Sequence, residues 1–241
     1  MKRTKQPTGY IISETPRTVA IATLDSGNRK TGNMVQIWIL HKEQAPVAAV
    51  QSGADEEICG KCPLRGERGQ DRTCYVNVGQ APQQVYRSYR AGRYPSLLRL
   101  PHAYAAVFTG RAVRFGAYGD PTLLPLPVFQ LVARFADGWT GYTHQWRDPL
   151  FAAYRHYLMA SCETLAQAEQ ARAAGWRTFR VTPEGEAQAP SEILCPNVSR
   201  GVSCLDCRLC HGVKPGRPTL TKSITIPVHG SGAVHYAEAA Q

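Results

Sequence analysis

With 241 residues, 43% of them hydrophobic and 19% charged, the chain has the composition of a folded globular protein, which excludes a disordered chain and allows one large domain or two small ones. Lys and Arg number 28 against 18 Asp and Glu, a net charge of +10 that favours anionic partners such as nucleic acid or phosphate; arginines recur from Arg87 to Arg114 without forming a block, so a solvated basic face is the plainer reading. No window is long and apolar enough to span a bilayer, and the basic start Met1-Lys2-Arg3-Thr4-Lys5 is not followed by an apolar signal stretch, so the sequence predicts a soluble cytoplasmic protein with no membrane partner.

The N-terminal part, Tyr10 to Gln51, is strand-rich. Thr18 to Leu24 and Met34 to His41 alternate or run apolar and β-branched around a Gly/Asn/Lys turn, which suits a hairpin. A polar, cysteine-bearing loop follows to about Gln80, then a helix from Gln83 to Arg93 stopped by Gly92 and Pro95. From Tyr104 onward short apolar strands alternate with helical stretches. Val113 to Tyr118 reads as a strand, Leu126 to Ala136 as a helix, Trp139 to Thr143 as a strand and Pro149 to Arg155 as a short helix. Tyr157 to Ala160 is the next strand, Thr164 to Ala174 a helix closed by Gly175, and Trp176 to Val181 a further strand. Strand, helix, strand at this spacing implies parallel βα units, and a repeat of roughly 20 residues suits a compact or partial βα barrel. Pro183 to Pro190 is a polar linker, Ser223 to Val228 is strand-like, and the Gly/Ala-rich end is expected to fray. The expected organisation is a β-rich segment over 1–51, a βα partial-barrel core with its cysteine loop over 52–190, and a cysteine-cluster segment with tail over 191–241, together one compact domain.

Eight cysteines in a reducing compartment point to metal more than to disulfides. The sharpest signal is Cys204-Leu-Asp-Cys207-Arg-Leu-Cys210, with Cys195-Pro196 nine residues before it. Three thiolates at three-residue steps plus a distant fourth is a common way to hold a [4Fe–4S] cluster, whereas zinc more often takes paired CxxC knuckles from separate loops. The second group is Cys59-Gly-Lys-Cys62-Pro and Cys74. Three thiolates leave one metal position open for chemistry, unless Cys162 or a His completes a zinc knuckle there; one cluster shared between the groups is the remaining arrangement. Cys162 stands alone at a strand end, where a small apolar core residue is its ordinary role.

In parallel βα folds the working groups gather at the carboxyl ends of the strands. Tyr118-Gly-Asp-Pro121, His144-Gln145-Trp146, Ser161-Cys162-Glu163 and Thr182 all fall there. Asp120 suits the orientation of an amine or a ribose hydroxyl, and suits equally a cap on a helix beginning near Leu124. His144 reads as general base, metal ligand or hydrogen-bonded structural residue. Arg111, Arg114 and Arg180 are candidates for an anionic substrate, or are solvated.

Ala117-Tyr118-Gly119-Asp120-Pro121-Thr122-Leu123-Leu124-Pro125 resembles the Gly-Gly-Glu-Pro-Leu-Leu turn of the radical S-adenosylmethionine enzymes, which in that family contacts the methionyl amine. The resemblance implies Tyr118, Gly119 and Asp120 as cofactor-binding residues and the Cys195 to Cys210 group as an auxiliary-cluster extension. The family's defining CxxxCxxC is absent, which weighs against adenosylmethionine binding and radical chemistry. Cys59-x-x-Cys62-Pro, Cys74-Tyr75-Val76-Asn77, Tyr118-Gly119-Asp120-Pro121, Thr140 to His144, Met159-Ala160-Ser161, Gly175 to Arg180 and Cys195-Pro196 with CxxCxxC also resemble, in one order over Cys59 to Gly212, iron–sulfur proteins of bacteriophages and mobile elements. That resemblance implies a partial βα barrel, a cluster and, for a phage protein, the host cytoplasm. The expectations are therefore an iron–sulfur enzyme with one or two [4Fe–4S] clusters or zinc in place of one, on Cys195, Cys204, Cys207 and Cys210 and on Cys59, Cys62 and Cys74. Asp120 and His144 would line the pocket, and the partner would be a small molecule or nucleic acid. The alternatives are a metal-stabilised nucleic-acid-binding or regulatory protein, and a redox sensor or electron carrier.

Overall fold

The structure, a computed structural model, describes residues 6–214, 222–230 and 233–236. The expected fraying of the Gly/Ala-rich end falls largely outside these residues. Strands β1 (Gly9–Glu14), β2 (Thr18–Thr23) and β3 (Val35–His41) form an antiparallel meander. All seven residues of β3 are buried, as its continuous apolar run requires of a strand covered on both faces. Helix α1 (Pro46–Ser52) closes the N-terminal part read as strand-rich, and the segment after it, read as a polar loop, carries α2 (Glu56–Cys59) before α3 (Ala81–Arg90). Helix α3 starts earlier than expected because Pro82 is pre-set for a first helical turn. After α4 (Ala103–Phe108) the βα alternation begins with β4 (Val113–Tyr118) and α5 (Leu126–Phe135).

The expected strand Trp139 to Thr143 is divided. Its first half, β5 (Trp139–Thr140), pairs in parallel with β4, and its second, β6 (Tyr142–Thr143), pairs in parallel with β7 (Met159–Cys162). Gly141 lies at the break. A Cβ there would come within 2.7 Å of Leu158 Cδ2 and 3.1 Å of Phe115 Cβ, and the Gly141 amide donates to the Cys210 carbonyl at 2.8 Å. The expected helix after it is a 3-10 segment, Pro149–His156. Helix α6 (Leu165–Ala173), capped by Thr164, leads to β8 (Thr178–Thr182), then β9 (Glu192–Leu194), α7 (Pro196–Arg200), α8 (Cys204–Cys207) and β10 (Ser223–Pro227).

Two five-stranded sheets result, β1-β2-β3-β4-β5 and β6-β7-β8-β10-β9. The second is parallel throughout and the first becomes parallel from β3. The fold is thus α/β with parallel sheets, and among the described residues no sheet closes into a barrel. The main core runs through both sheets, from Ile12 and Ile39 to Ala160 and Trp176, with Phe115 and Phe129 stacked at 3.7 Å between centroids. A smaller cluster of Met159, Phe179, Ile224 and Ile226 packs under Leu209, Cys195 and Cys210, so the cysteine-rich segment rests on apolar sheet. Among the described residues no helix is long and apolar enough to cross a membrane.

Candidate metal centre

All eight cysteines are unpaired. The first group is assembled around α2, which ends at Cys59; Cys62 precedes a 3-10 turn, Pro63–Arg65. Cys74 is drawn back to that turn, its amide donating to the Leu64 carbonyl at 2.8 Å. Arg72 Nη1 donates to the Cys74 and Val76 carbonyls (3.2 and 3.0 Å), and Arg65 donates to buried Asp55 at 2.9 Å. Burial, reinforced by the neighbouring thiols Cys62 and Cys74, pushes the Cys59 thiol well up; burial likewise raises Cys74.

His144 belongs to this group. Its Nε2 lies 2.7 Å from Glu163 Oε1, which assigns the ring proton to Nε2. Burial opposes a charge on the ring, but Cys62 and Glu163 outweigh it and hold the His144 pKa well above its ordinary value. Cys162, the other fourth ligand the sequence offered, is fully buried in the core, where burial pushes its thiol up to about 12 and its Sγ lies 3.7 Å from the Ala160 carbonyl.

Asp120 is buried and surrounded by donors from its own chain. Oδ1 accepts from the Thr122 amide (3.0 Å) and Thr122 Oγ1 (2.8 Å); Oδ2 accepts from the His144 amide (3.0 Å); Thr143 Oγ1 contacts both at 2.8 and 2.9 Å. It caps the 3-10 turn Pro121–Leu123 and ties that turn to β6. The preceding Gly119 has φ +83°, and a Cβ there would come within 2.8 Å of both Ile39 Cβ and the Ile58 carbonyl, the same carbonyl that accepts from the Asp120 amide. Gly119→Ala is expected to lower the unfolding free energy by about 2 kcal/mol or more, from left-handed backbone strain and overpacking together. Urea unfolding checks this; an unchanged midpoint would show that the turn relaxes.

The second group spans the segment between β9 and β10. The Cys195 amide donates to Thr225 of β10 (2.8 Å), and the Cys204 and Leu205 amides donate to the Lys30 and Thr31 carbonyls (3.0 and 2.9 Å). Arg177 clamps the far end, with Nη1 donating to the Leu209 and His211 carbonyls (2.8 and 2.6 Å) and Nη2 to the Lys222 carbonyl (2.8 Å). Burial first, then the neighbouring thiols of Cys195, Cys204 and Cys207, raises Cys210. Burial also raises Cys204.

Both groups open onto one cavity of about 680 Å³, with Cys59, Cys62, Cys74 and His144 at one part of its wall and Cys195, Cys204 and Cys210 at another. Cys207 is not on that wall. Tyr118, Gly119 and Asp120 are on it. So are Tyr118 and Thr73, whose buried hydroxyls have no hydrogen-bond partner among the described residues. Sequence gave no signal for Thr73, nor for the 28–31 turn, which reads as an ordinary hairpin connection yet holds Cys204. Of the three candidate anion-binding arginines, Arg180 is ion-paired with Glu192 and Glu186, Arg111 donates to the Leu24 carbonyl, and Arg114 lines the cavity. Among the described residues no three His, Cys, Asp or Glu side chains are already arranged to hold a metal ion.

No protein-family model, curated protein or solved structure matches the chain at a significant level.

Proposed function

We propose that the chain is an iron–sulfur enzyme on an open, radical-enzyme-like partial barrel. Cys195, Cys204, Cys207 and Cys210 would hold a [4Fe–4S] cluster, and Cys59, Cys62 and Cys74 a second metal centre with His144 as fourth ligand. The observation that carries this reading is the shared cavity: two cysteine groups far apart in sequence open onto one cleft of about 680 Å³, the size of a small-molecule site.

The donor set fits such groups. Soft thiolates select iron–sulfur clusters or zinc, and zinc is the alternative occupant of the Cys59 group. The unpartnered hydroxyls of Tyr118 and Thr73 suit hydrogen bonds to sulfur at that group. The thiols, kept protonated by burial and by one another, gain most from a nearby cation that stabilises their charged form. Glu163 behind His144 is the carboxylate–histidine arrangement that orients a metal-binding ring.

A cluster at the C-terminal group would supply one-electron chemistry to whatever the cavity encloses. The chain's own part is to enclose that molecule, to hold a proton at His144 Nε2 against Glu163, and to fix the Tyr118–Pro121 turn through Asp120. With its carboxylate already engaged by five donor contacts from Thr122, Thr143 and His144, that turn would meet an amine such as that of adenosylmethionine chiefly through its backbone.

Anaerobic purification with absorbance and iron, zinc and sulfide analysis tests the reading. Broad visible absorbance with iron and acid-labile sulfide in equal amounts is expected; a colourless protein with zinc and no sulfide sinks it. Glu163→Gln is expected to weaken metal affinity at the Cys59 group by about 10- to 100-fold, leaving the C-terminal group loaded. Competition with a graded chelator measures this, and parallel loss from both groups would mean that Glu163 serves the fold.

A further inference from the structure

Arg114 is a cation of the cavity wall that has no carboxylate counter-charge among the described residues. It sits on β4, and among the described residues it has no carboxylate within ion-pair reach; its hydrogen bond there runs from Nη2 to Tyr75 Oη at 2.6 Å. The one carboxylate on the same wall among the described residues, Asp120, is saturated by Thr122, Thr143 and His144. A guanidinium carries five N–H donors in a planar fork, and Arg114 lines the cavity with its Nη2 bond to Tyr75 holding the fork in place. Burial disfavours its charge, yet Tyr75, Tyr142 and Cys204 outweigh this and hold it more firmly protonated than usual. Arg29 and Lys30 add positive charge to the same wall.

The rest of the wall is built for an apolar body. Tyr142 stacks on Phe179 at 4.4 Å between centroids, Tyr75 stacks on His229 at 5.8 Å, and Val76, Val181 and Ile226 complete the surface. An apolar pocket with one convergent charged donor selects a ligand by its anionic head and accommodates it by its body.

We propose that Arg114, oriented by Tyr75, anchors an organic anion, a carboxylate or phosphate carrying an apolar or aromatic body, in this cavity. That the anion is a substrate rests on the function proposed above; its binding rests on the cavity alone. The competing role for Arg114 is as counter-charge to the thiolate of Cys204.

Calorimetric titration of the anaerobically purified protein with phenyl phosphate and benzoate, and with phenol and benzamide as neutral counterparts, decides between them. The anions are expected to bind about tenfold or more tightly than their neutral counterparts. Arg114→Gln is expected to erase that difference while iron and sulfide stay at the wild-type level, and Arg114→Lys to keep part of it, because the charge survives and the planar fork does not. Equal binding of anions and neutral compounds by the wild type, undiminished anion binding by Arg114→Gln, or loss of iron and sulfide in that variant would each overturn the proposal. If Arg114→Gln misfolds, the wild-type discrimination and Arg114→Lys carry the decision. An iron-free protein that still selects anions through Arg114 would sink the metal reading and keep this one, and an iron-loaded protein indifferent to charge would do the reverse.

Discussion

Replacing Cys204 by alanine is expected to strip iron and acid-labile sulfide together from the C-terminal group, while Cys162→Ala leaves both at the wild-type level. A four-thiolate site loses its closure with any one ligand, and Cys204 is tied to the rest of the chain by its amide bond to the Lys30 carbonyl, so the vacant position cannot be filled by sliding the loop. Cys162 is fully buried in the main core and lies apart from both groups, so its removal touches packing alone. Because metal binding contributes to folding, Cys204→Ala should also unfold at a lower temperature than the loaded wild type and close to the apo wild type. Far-ultraviolet circular dichroism checks that the variant is folded. A folded Cys204→Ala protein with unchanged metal content would show that the quartet is wrongly assigned.

The largest expected loss of stability comes from Arg180→Met. Arg180 reaches across β10 to grip Glu192 with both arms, Nε to Oε1 at 2.9 Å and Nη2 to Oε2 at 2.7 Å, and both side chains are essentially inaccessible. Removing the guanidinium leaves a buried carboxylate with the Ala189 amide as its remaining donor, and breaking a buried pair in this way costs about 3–5 kcal/mol. Burial pushes the Glu192 carboxyl up, but the Arg180 fork and the Ala189 amide prevail and hold it below its ordinary value. A depressed carboxyl contributes stability above its unfolded pKa and loses it as pH falls through the folded one. In the variant the unpaired carboxyl gains from protonation instead, so the deficit is expected to be greatest near neutrality and to shrink in acid. Urea unfolding at neutral and acidic pH measures this, and a deficit that grows in acid would mean that the pair does not govern the effect. Arg180→Met with Glu192→Met is expected to recover most of the loss.

The strands that carry the fold were largely legible because they are apolar runs bounded by Gly and Pro. The order of pairing was not. Glu192–Leu194 is too short to announce itself, and nothing local says that Ser223–Pro227 lies between it and β8. Trp139 to Thr143 reads as one strand because its composition is continuous; the break is made by Leu158 and Phe115 crowding Gly141, a tertiary effect. The short helices α1 and α2 were missed because Gly53 and the acidic residues around Asp55 look like loop chemistry, whereas the chain uses Gly53 as a left-handed helix stop. Among site residues, the cysteines and His144 stood out by type and spacing. Asp120 was legible as a cap as well as a ligand, and the cap is what its contacts show. The meeting of the two cysteine groups on one cavity required the fold, since nothing in the sequence relates Cys59 to Cys204.

The position of β10 sets the order in which this molecule can be completed during synthesis. Among the described residues strand β9 pairs with β10 and with no other strand, so residues 192–194 emerge from the ribosome before their partner there. The cysteine-rich segment is translated next, and β9 and the Cys195 amide reach their strand partners only once Ser223–Pro227 has been made. A stall or truncation before Ser223 would yield a polypeptide holding all eight thiols without the strand to which β9 and the Cys195 amide are tied, a species exposed to oxidation.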